Sequence, residues 1–299
     1  HHMRLTTEGA IASLLGRWKE ALRSYDEADA WGREHNTRST LFGNRALFFR
    51  FDALYWTGQV DTAARGLPPL IQDLHEHGNI MGWLWMSLIW AWVTCAHGKP
   101  DEAREIVDNA LRVWGKGGIL PHWWRMLNDT NFALYEGDGD RARELVSNSP
   151  ILGIKLLVVG REGRVQYQWS CARAAIAAAV ARKTDRLGLI NEAEKRARSL
   201  GREGSPMGNA IEPSLLAAIA ALRGRRSEAV AFLEHAERRL RALDMEMMVA
   251  SVQRARGQLG SGESASRAMA ESDLWMSQQK IAEPGRFAAM YLPGPWTGG

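Results

Sequence analysis

The chain is expected to fold as an all-α solenoid of about seven antiparallel helix pairs, and three observations lead there. A glycine followed five residues later by alanine recurs along most of the 299 residues. The copies stand at Gly16, Gly58, Gly98, Gly137, Gly224 and Gly260, so the intervals are 42, 40, 39, 87 and 36 residues, and 87 is about two periods. No run alternates apolar and polar residues long enough to argue for a strand; Leu156 to Val159 is the only β-like patch, and it is short.

Taken in order, each copy marks one helix–turn–helix. Gly16 is followed by Ala21 and Ala28, and Gly9 supplies a small residue seven positions upstream. Gly58 is followed by Ala63. The third copy, Gly98-Lys99-Pro100-Asp101-Glu102-Ala103 with Ala110, is the fullest: proline and two acids suit the first turn of a helix, where no N–H partner is needed and the dipole is positive. Gly137 precedes Ala142, and the long interval predicts a degenerate turn near Arg182, Lys183 and Thr184. Gly224 precedes Ala229 and Ala236, and Gly260 precedes Ala265. Each glycine is expected in the positive-φ conformation that ends a helix, and alanines seven apart share a face that lets a neighbouring helix come close. Breakers separate the pairs: His77-Gly78-Asn79, Gly115 to Gly118, Ser147 to Pro150, and Gly201 to Pro206.

Composition narrows the functional classes. Hydrophobic residues make up 45% and charged residues 24%, an ordinary globular balance. The net charge of +4 equals the excess within residues 183–260, where charges of both signs interleave as in Glu234-His235-Ala236-Glu237-Arg238-Arg239. That pattern fits a solvated helix face, and no nucleic acid is expected. Cys95 and Cys171 lack metal or disulfide spacing. Gly78 to Gly98 carries no formal charge and four tryptophans, but its tryptophans sit mid-segment and its end is in phase with the repeat. It reads as a buried repeat helix, so no membrane insertion is expected. The alanine-rich run from Ala172 to Ala181 reads as close helix packing.

The spacing of glycine, alanine and second alanine resembles the tetratricopeptide repeat (TPR), with a period of 36–42 residues against the usual 34 or so. The resemblance implies a right-handed superhelix, similar to the sensor regions of large bacterial regulators. A further resemblance rests on Trp114, Gly118, His122, Leu134-Tyr135-Glu136-Gly137-Asp138-Gly139 and Ala142. It continues in the closing phrase Trp275-Met276, Gln279, Ile281, Pro284, Arg286, Ala288, Met290, Pro293 and Gly294. Together these resemble the repeat region that follows the catalytic part of multidomain bacterial serine/threonine protein kinases of the myxobacterial and planctomycete kind. No kinase catalytic motif stands in this sequence. The resemblance therefore implies the C-terminal portion of a longer protein, with 4–282 a single TPR-like solenoid and 283–299 a C-terminal tail; the opening His1-His2-Met3, residues 1–3, reads as a tag remnant.

In tetratricopeptide arrays the first helix of each pair lines a concave groove at fixed distances before the turn glycine. That register implies a groove carrying Arg45, Asp52, Tyr55, Trp85, Trp92, Trp124, Asn131 and Trp169, together with Phe48, Trp56, Leu88, Cys95, Ala96, Leu127, Leu134, Tyr135 and Ile176. Trp85 and Trp92 share one helical face; Trp83 and Trp90 form a second stripe about 200° away. Two readings stay open: the tryptophans are inter-repeat core, or one stripe is displayed as a binding surface. Weaker motifs are set aside. His75-Glu76-His77 lacks the spacing for two ligands on one helix face, and Gly115-Lys116-Gly117-Gly118 lacks the strand and the Ser/Thr of a phosphate loop.

The functional expectation is a non-catalytic, cytoplasmic scaffold that binds a protein or peptide and regulates or targets a kinase, its own upstream kinase domain being one candidate partner. The alternative is a helical repeat array that senses a small molecule. No cofactor or metal is expected, and no nucleophile–base pair can be assembled from spacing.

Overall fold

A computed structural model describes residues 1–35, 41–114, 119–149, 160–182 and 185–296. The glycine-rich loop at 115–118, the β-like patch at 156–159, and Lys183 and Thr184 of the degenerate turn lie outside the described residues. Among the described residues there are fifteen α-helices and no strand. They form seven pairs and a closing helix. The pairs are α1 (His2–Leu14) with α2 (Trp18–Glu34), α3 (Leu41–Trp56) with α4 (Val60–Glu76), α5 (Ile80–Ala96) with α6 (Pro100–Trp114), and α7 (Ile119–Tyr135) with α8 (Gly139–Ser147). They continue with α9 (Gly160–Ala181) and α10 (Arg186–Arg202), α11 (Pro206–Leu222) and α12 (Arg226–Ala242), and α13 (Glu246–Leu259) and α14 (Gly262–Gln278). Helix α15 spans Pro284–Tyr291. Partners pack on each other, and first helices stack on first helices, α1 on α3, α3 on α5, α5 on α7, α7 on α9 and α9 on α11, the arrangement of an all-α helical repeat solenoid.

The turns form for the expected reason. Gly58 has φ 71° and Gly98 φ 80°, a region that costs any residue with a Cβ. The chain reversal is closed by backbone bonds, for instance Lys99 N–H to the Thr94 carbonyl at 3.2 Å. Two turns differ from expectation. In the last pair Gly260 is extended, at φ −77° and ψ −174°, and the positive φ of 77° falls on Gly262, because α13 stops at Leu259. At the degenerate turn the left-handed residue is Asp185, φ 56°, where a short polar side chain tolerates that conformation. The expected first-turn proline and acids stand at the start of α6, whose buried stripe is Ala103, Val107, Ala110 and Leu111. Alanines 21, 28, 103, 110, 229 and 236 are all fully buried.

The charge-free segment becomes α5, 17 residues long and buried on nearly every side. No helix among the described residues is long and apolar enough to cross a membrane. Its four tryptophans do not split into a core and a displayed stripe: Trp92 is buried, while Trp83, Trp85 and Trp90 are half-buried against the core. His2 begins α1, with its ring 5.8 Å from Trp31, so residues read as a tag remnant are packed as helix.

The solenoid bends back on itself. Lys19, just past the first turn, pairs with Asp244 at 2.5 Å, across the loop joining α12 and α13. The second turn at Gly58 lies against Met247 and Trp275, and Ala282 N–H donates to the Ala96 carbonyl beside the third turn at 3.1 Å. Lys280 pairs with Asp61 at 2.9 Å. The residues read as a tail carry α15 across α7 and α13, with Phe287, Met290 and Tyr291 buried. An open concave groove is therefore not what the first helices present, because the chain's own end lies in it.

Candidate functional site

Four consecutive first helices, α3, α5, α7 and α9, enclose a cavity beneath α15. Repeat stacking places the first helices side by side, so Asp52, Trp92, Trp124 and Trp169 come together from residues up to 117 positions apart. The space between its atoms, counted out to the mouth, is about 650 Å³, of which about 80 Å³ is open to water centres. One water needs roughly 10–15 Å³ on that measure, so the cavity has room for several waters or one small ring.

Of the eight residues singled out for the groove, six line this cavity, Asp52, Tyr55, Trp92, Trp124, Asn131 and Trp169; of the other register positions Phe48, Trp56, Leu88 and Leu127 line it, whereas Cys95, Ala96, Leu134, Tyr135 and Ile176 do not and are buried in the core. Trp85 does not reach it; its ring packs 5.2 Å from Phe48, which does. Arg45 is exposed, its guanidinium 5.8 Å over the Phe49 ring and away from the cavity wall. Trp92 and Trp169 are 5% and 3% exposed, so they serve as wall and core at once. The aromatic rings touch in series. Tyr55 meets Trp92 edge-on at 4.7 Å, Trp56 lies 5.8 Å from Trp169, and Trp169 stacks 6.1 Å from Tyr291 of the closing helix. Such offset and edge contacts hold the walls in fixed orientations.

Polar groups interrupt this apolar lining. Trp92 Nε1 donates to Tyr291 Oη at 2.7 Å, which ties the closing helix to the cavity wall. Arg173 is 1% exposed and carries the densest set of contacts. Its Nη1 donates to Asn131 Oδ1 at 3.0 Å and to the Met290 carbonyl at 2.7 Å, its Nη2 to Ser170 Oγ at 3.3 Å, and the guanidinium lies 3.9 Å over the Trp169 ring. Burial pushes its pKa down to about 10, so it remains a cation at neutral pH. Arg173 Nε and Trp169 Nε1 are buried with no acceptor. Asp52 is half-buried, and desolvation pushes its carboxyl up to about 7, against a smaller opposing effect from a hydrogen bond with Trp56. Burial likewise pushes the Tyr55 hydroxyl up to about 12.

Sequence reasoning missed Arg173 and Tyr291. A signal for the first existed: Arg173 is the only charged residue between Val165 and Ala181, and a lone charge in an apolar helix rarely lies there without a use. The second stands next to Met290 of the closing phrase without belonging to it, and two residues of that phrase, Met290 and Gly294, have a physical reason. Met290 and Tyr291 dock in the channel, and Gly294 leaves room for Trp296, whose ring a Cβ there would approach to 2.4 Å. Both cysteines are buried and free. No group of three or more His, Cys, Asp or Glu side chains is placed to hold a metal ion among the described residues. Comparison of the chain with protein-family models, with curated proteins and with solved structures returns no match.

Proposed function

We propose that this chain is a non-catalytic recognition module that takes a small ligand in the cavity between α3, α5, α7 and α9. In this reading it serves as the regulatory or targeting region of a larger bacterial serine/threonine kinase of the kind its closing phrase resembles. One observation carries the choice of a small ligand over an extended peptide: the concave face is already occupied by α15, and what remains beneath it is a walled, aromatic cavity with a few polar groups. Ligand binding there would act on repeat stacking, since four successive repeats share the cavity wall and the closing helix is bonded to Trp92 and Arg173 of that wall.

A thermal-shift screen of a small-molecule library tests this, run in parallel on the wild type and on Leu127→Trp, which fills the cavity from α7. Compounds that raise the Tm of the wild type and leave the filled variant unmoved support the reading; a ligand at 100 times its Kd stabilises by about 2.7 kcal/mol. A screen in which no compound distinguishes the two proteins sinks it.

The second reading, a protein or peptide scaffold, is favoured by α15 itself, a helix lying in the groove by its apolar face. A partner helix, from the upstream kinase domain or another protein, would replace α15. Binding of such a partner should then tighten in Tyr291→Ala, which loosens the resident helix; unchanged affinity in a surface-binding assay argues against displacement. Neither reading calls for nucleic acid or a cofactor.

A further inference from the structure

The cavity wall holds a charge without a counter-charge. Arg173 is sealed from water, yet every partner it has is neutral: an amide oxygen, a backbone carbonyl, a serine hydroxyl and an indole face. No carboxylate among the described residues lies within ion-pair distance of it. Its nearest acidic neighbour on the cavity wall is Asp52, the only acid lining the space, which is engaged with Trp56 instead. Burying a charge with no opposite charge is among the more costly arrangements in a protein, and an anion brought to the site would offset that cost. One edge of the guanidinium is under-bonded although it is packed away from water: Nη1 spends both hydrogens on Asn131 and Met290, whereas Nε has no acceptor and Nη2 has only the long 3.3 Å contact to Ser170. Nε and Nη2 together form the two-toothed edge that matches a carboxylate. Trp169, stacked under the same guanidinium, brings a second unpartnered donor, Nε1.

Resting on the small-ligand reading, we infer that the ligand is a planar monoanion, a single-ring carboxylate. Its carboxylate takes the Nε–Nη2 edge of Arg173 by displacing the Ser170 hydroxyl, and its ring lies among Phe48, Tyr55, Trp92 and Trp124. The flat walls select a ring, the volume limits it to one ring with a short acidic arm, and the buried cation selects the anion. A cationic ligand of the same shape meets the Arg173 charge in a site with little water to screen it. Because Arg173 also holds the Met290 carbonyl, the occupied site reports directly on the seat of α15.

The test uses the intact chain and three matched probes, benzoate, benzamide and benzylammonium, titrated with tryptophan fluorescence and ligand-observed NMR as readouts. Benzoate is expected to bind about tenfold tighter than benzamide, the difference between a charged and a neutral hydrogen-bond partner, and tighter still than benzylammonium. Arg173→Lys, which keeps the charge and loses the fork, should shrink the benzoate preference, while Asp52→Asn should retain it; circular dichroism checks that both fold. The comparison of probes is made on the wild type, so a variant that fails to fold does not remove the test. Benzamide or benzylammonium binding as tightly as benzoate, with Leu127→Trp blocking all three, overturns the anion assignment and leaves the cavity reading standing. No binding of benzoate at all also overturns the anion assignment, and the library screen then decides the cavity reading separately.

Discussion

The aromatic wall and the alanine-rich packing lie on the same solenoid, and helix α9 belongs to both. Its stretch from Gln166 to Arg173 contributes Gln166, Trp169, Ser170 and Arg173 to the cavity, facing the large rings of α3, α5 and α7. The following stretch, Ala174 to Ala179, is almost completely buried, and there the backbones come close enough that a Cβ on Gly139 would sit 2.2 Å from the Ala178 nitrogen. Small side chains let helices approach until their backbones touch; flat rings hold helices apart and cannot tile the gap completely. The cavity is thus a consequence of which residue size the inner face carries, and one α-solenoid supplies both a rigid support and a site.

Substitutions that exchange the two kinds of packing should have unequal effects. The largest is expected for Tyr291→Ala, which removes a fully buried ring resting on Trp169 and Phe287 and bonded to Trp92; urea unfolding should show a loss of about 3–5 kcal/mol. Tyr291→Phe keeps the ring and orphans the Trp92 donor, at about 1–2 kcal/mol. If both variants unfold like the wild type, α15 is not held by the aromatic wall. In the small-residue region Gly139→Ala should cost about 3 kcal/mol, because the obstacle is backbone that cannot swing aside. Gly66→Ala, inside α4 with its nearest neighbour 3.7 Å away, should instead gain roughly 0.5–1 kcal/mol. A similar cost at both glycines would show that close approach is not what distinguishes the regions.

Asp52 gives a pH-dependent comparison. Its folded pKa, about 7, lies above its ordinary value of 3.8, so the folded state prefers the protonated carboxyl. The penalty is absent below about pH 4, grows as pH rises, and is complete above 7. Asp52→Asn should therefore stabilise by about 1–2 kcal/mol at pH 8, a figure reduced for the open mouth, and by almost nothing at pH 4. Equal effects at the two pH values would place the carboxylate in water. The smallest effect is expected for Lys280→Ala: the exposed pair with Asp61 should be worth less than about 1 kcal/mol and should fade in high salt.

Much of this was legible in the residues. The glycine–alanine phrase located the turns of the first four pairs and of the sixth, and even the degenerate turn falls where α9 ends. The groove register brought ten of its seventeen positions to one cavity, six of them among the eight singled out for binding, while Cys95, Ala96, Leu134, Tyr135 and Ile176 went into the core. Arg45 and Trp85 failed because the register names a helix face, while reaching the cavity also depends on the neighbouring rings: Trp85 packs on Phe48, which lines the space in its place, and Arg45 lies over Phe49. Tyr291 could not be found from the repeat at all, since it lies beyond the last helix pair.

Local spacing alone determined the helices, their pairing and the small-residue contacts, because a turn glycine and a stripe seven residues apart act within one pair and need no distant partner. Only the tertiary structure decided that the solenoid bends until Lys19 meets Asp244, that its own last helix lies in the groove, and that Arg173 is left charged, buried and without a counter-charge. Those outcomes depend on small rotations between repeats that accumulate over seven pairs, and no single repeat encodes their sum.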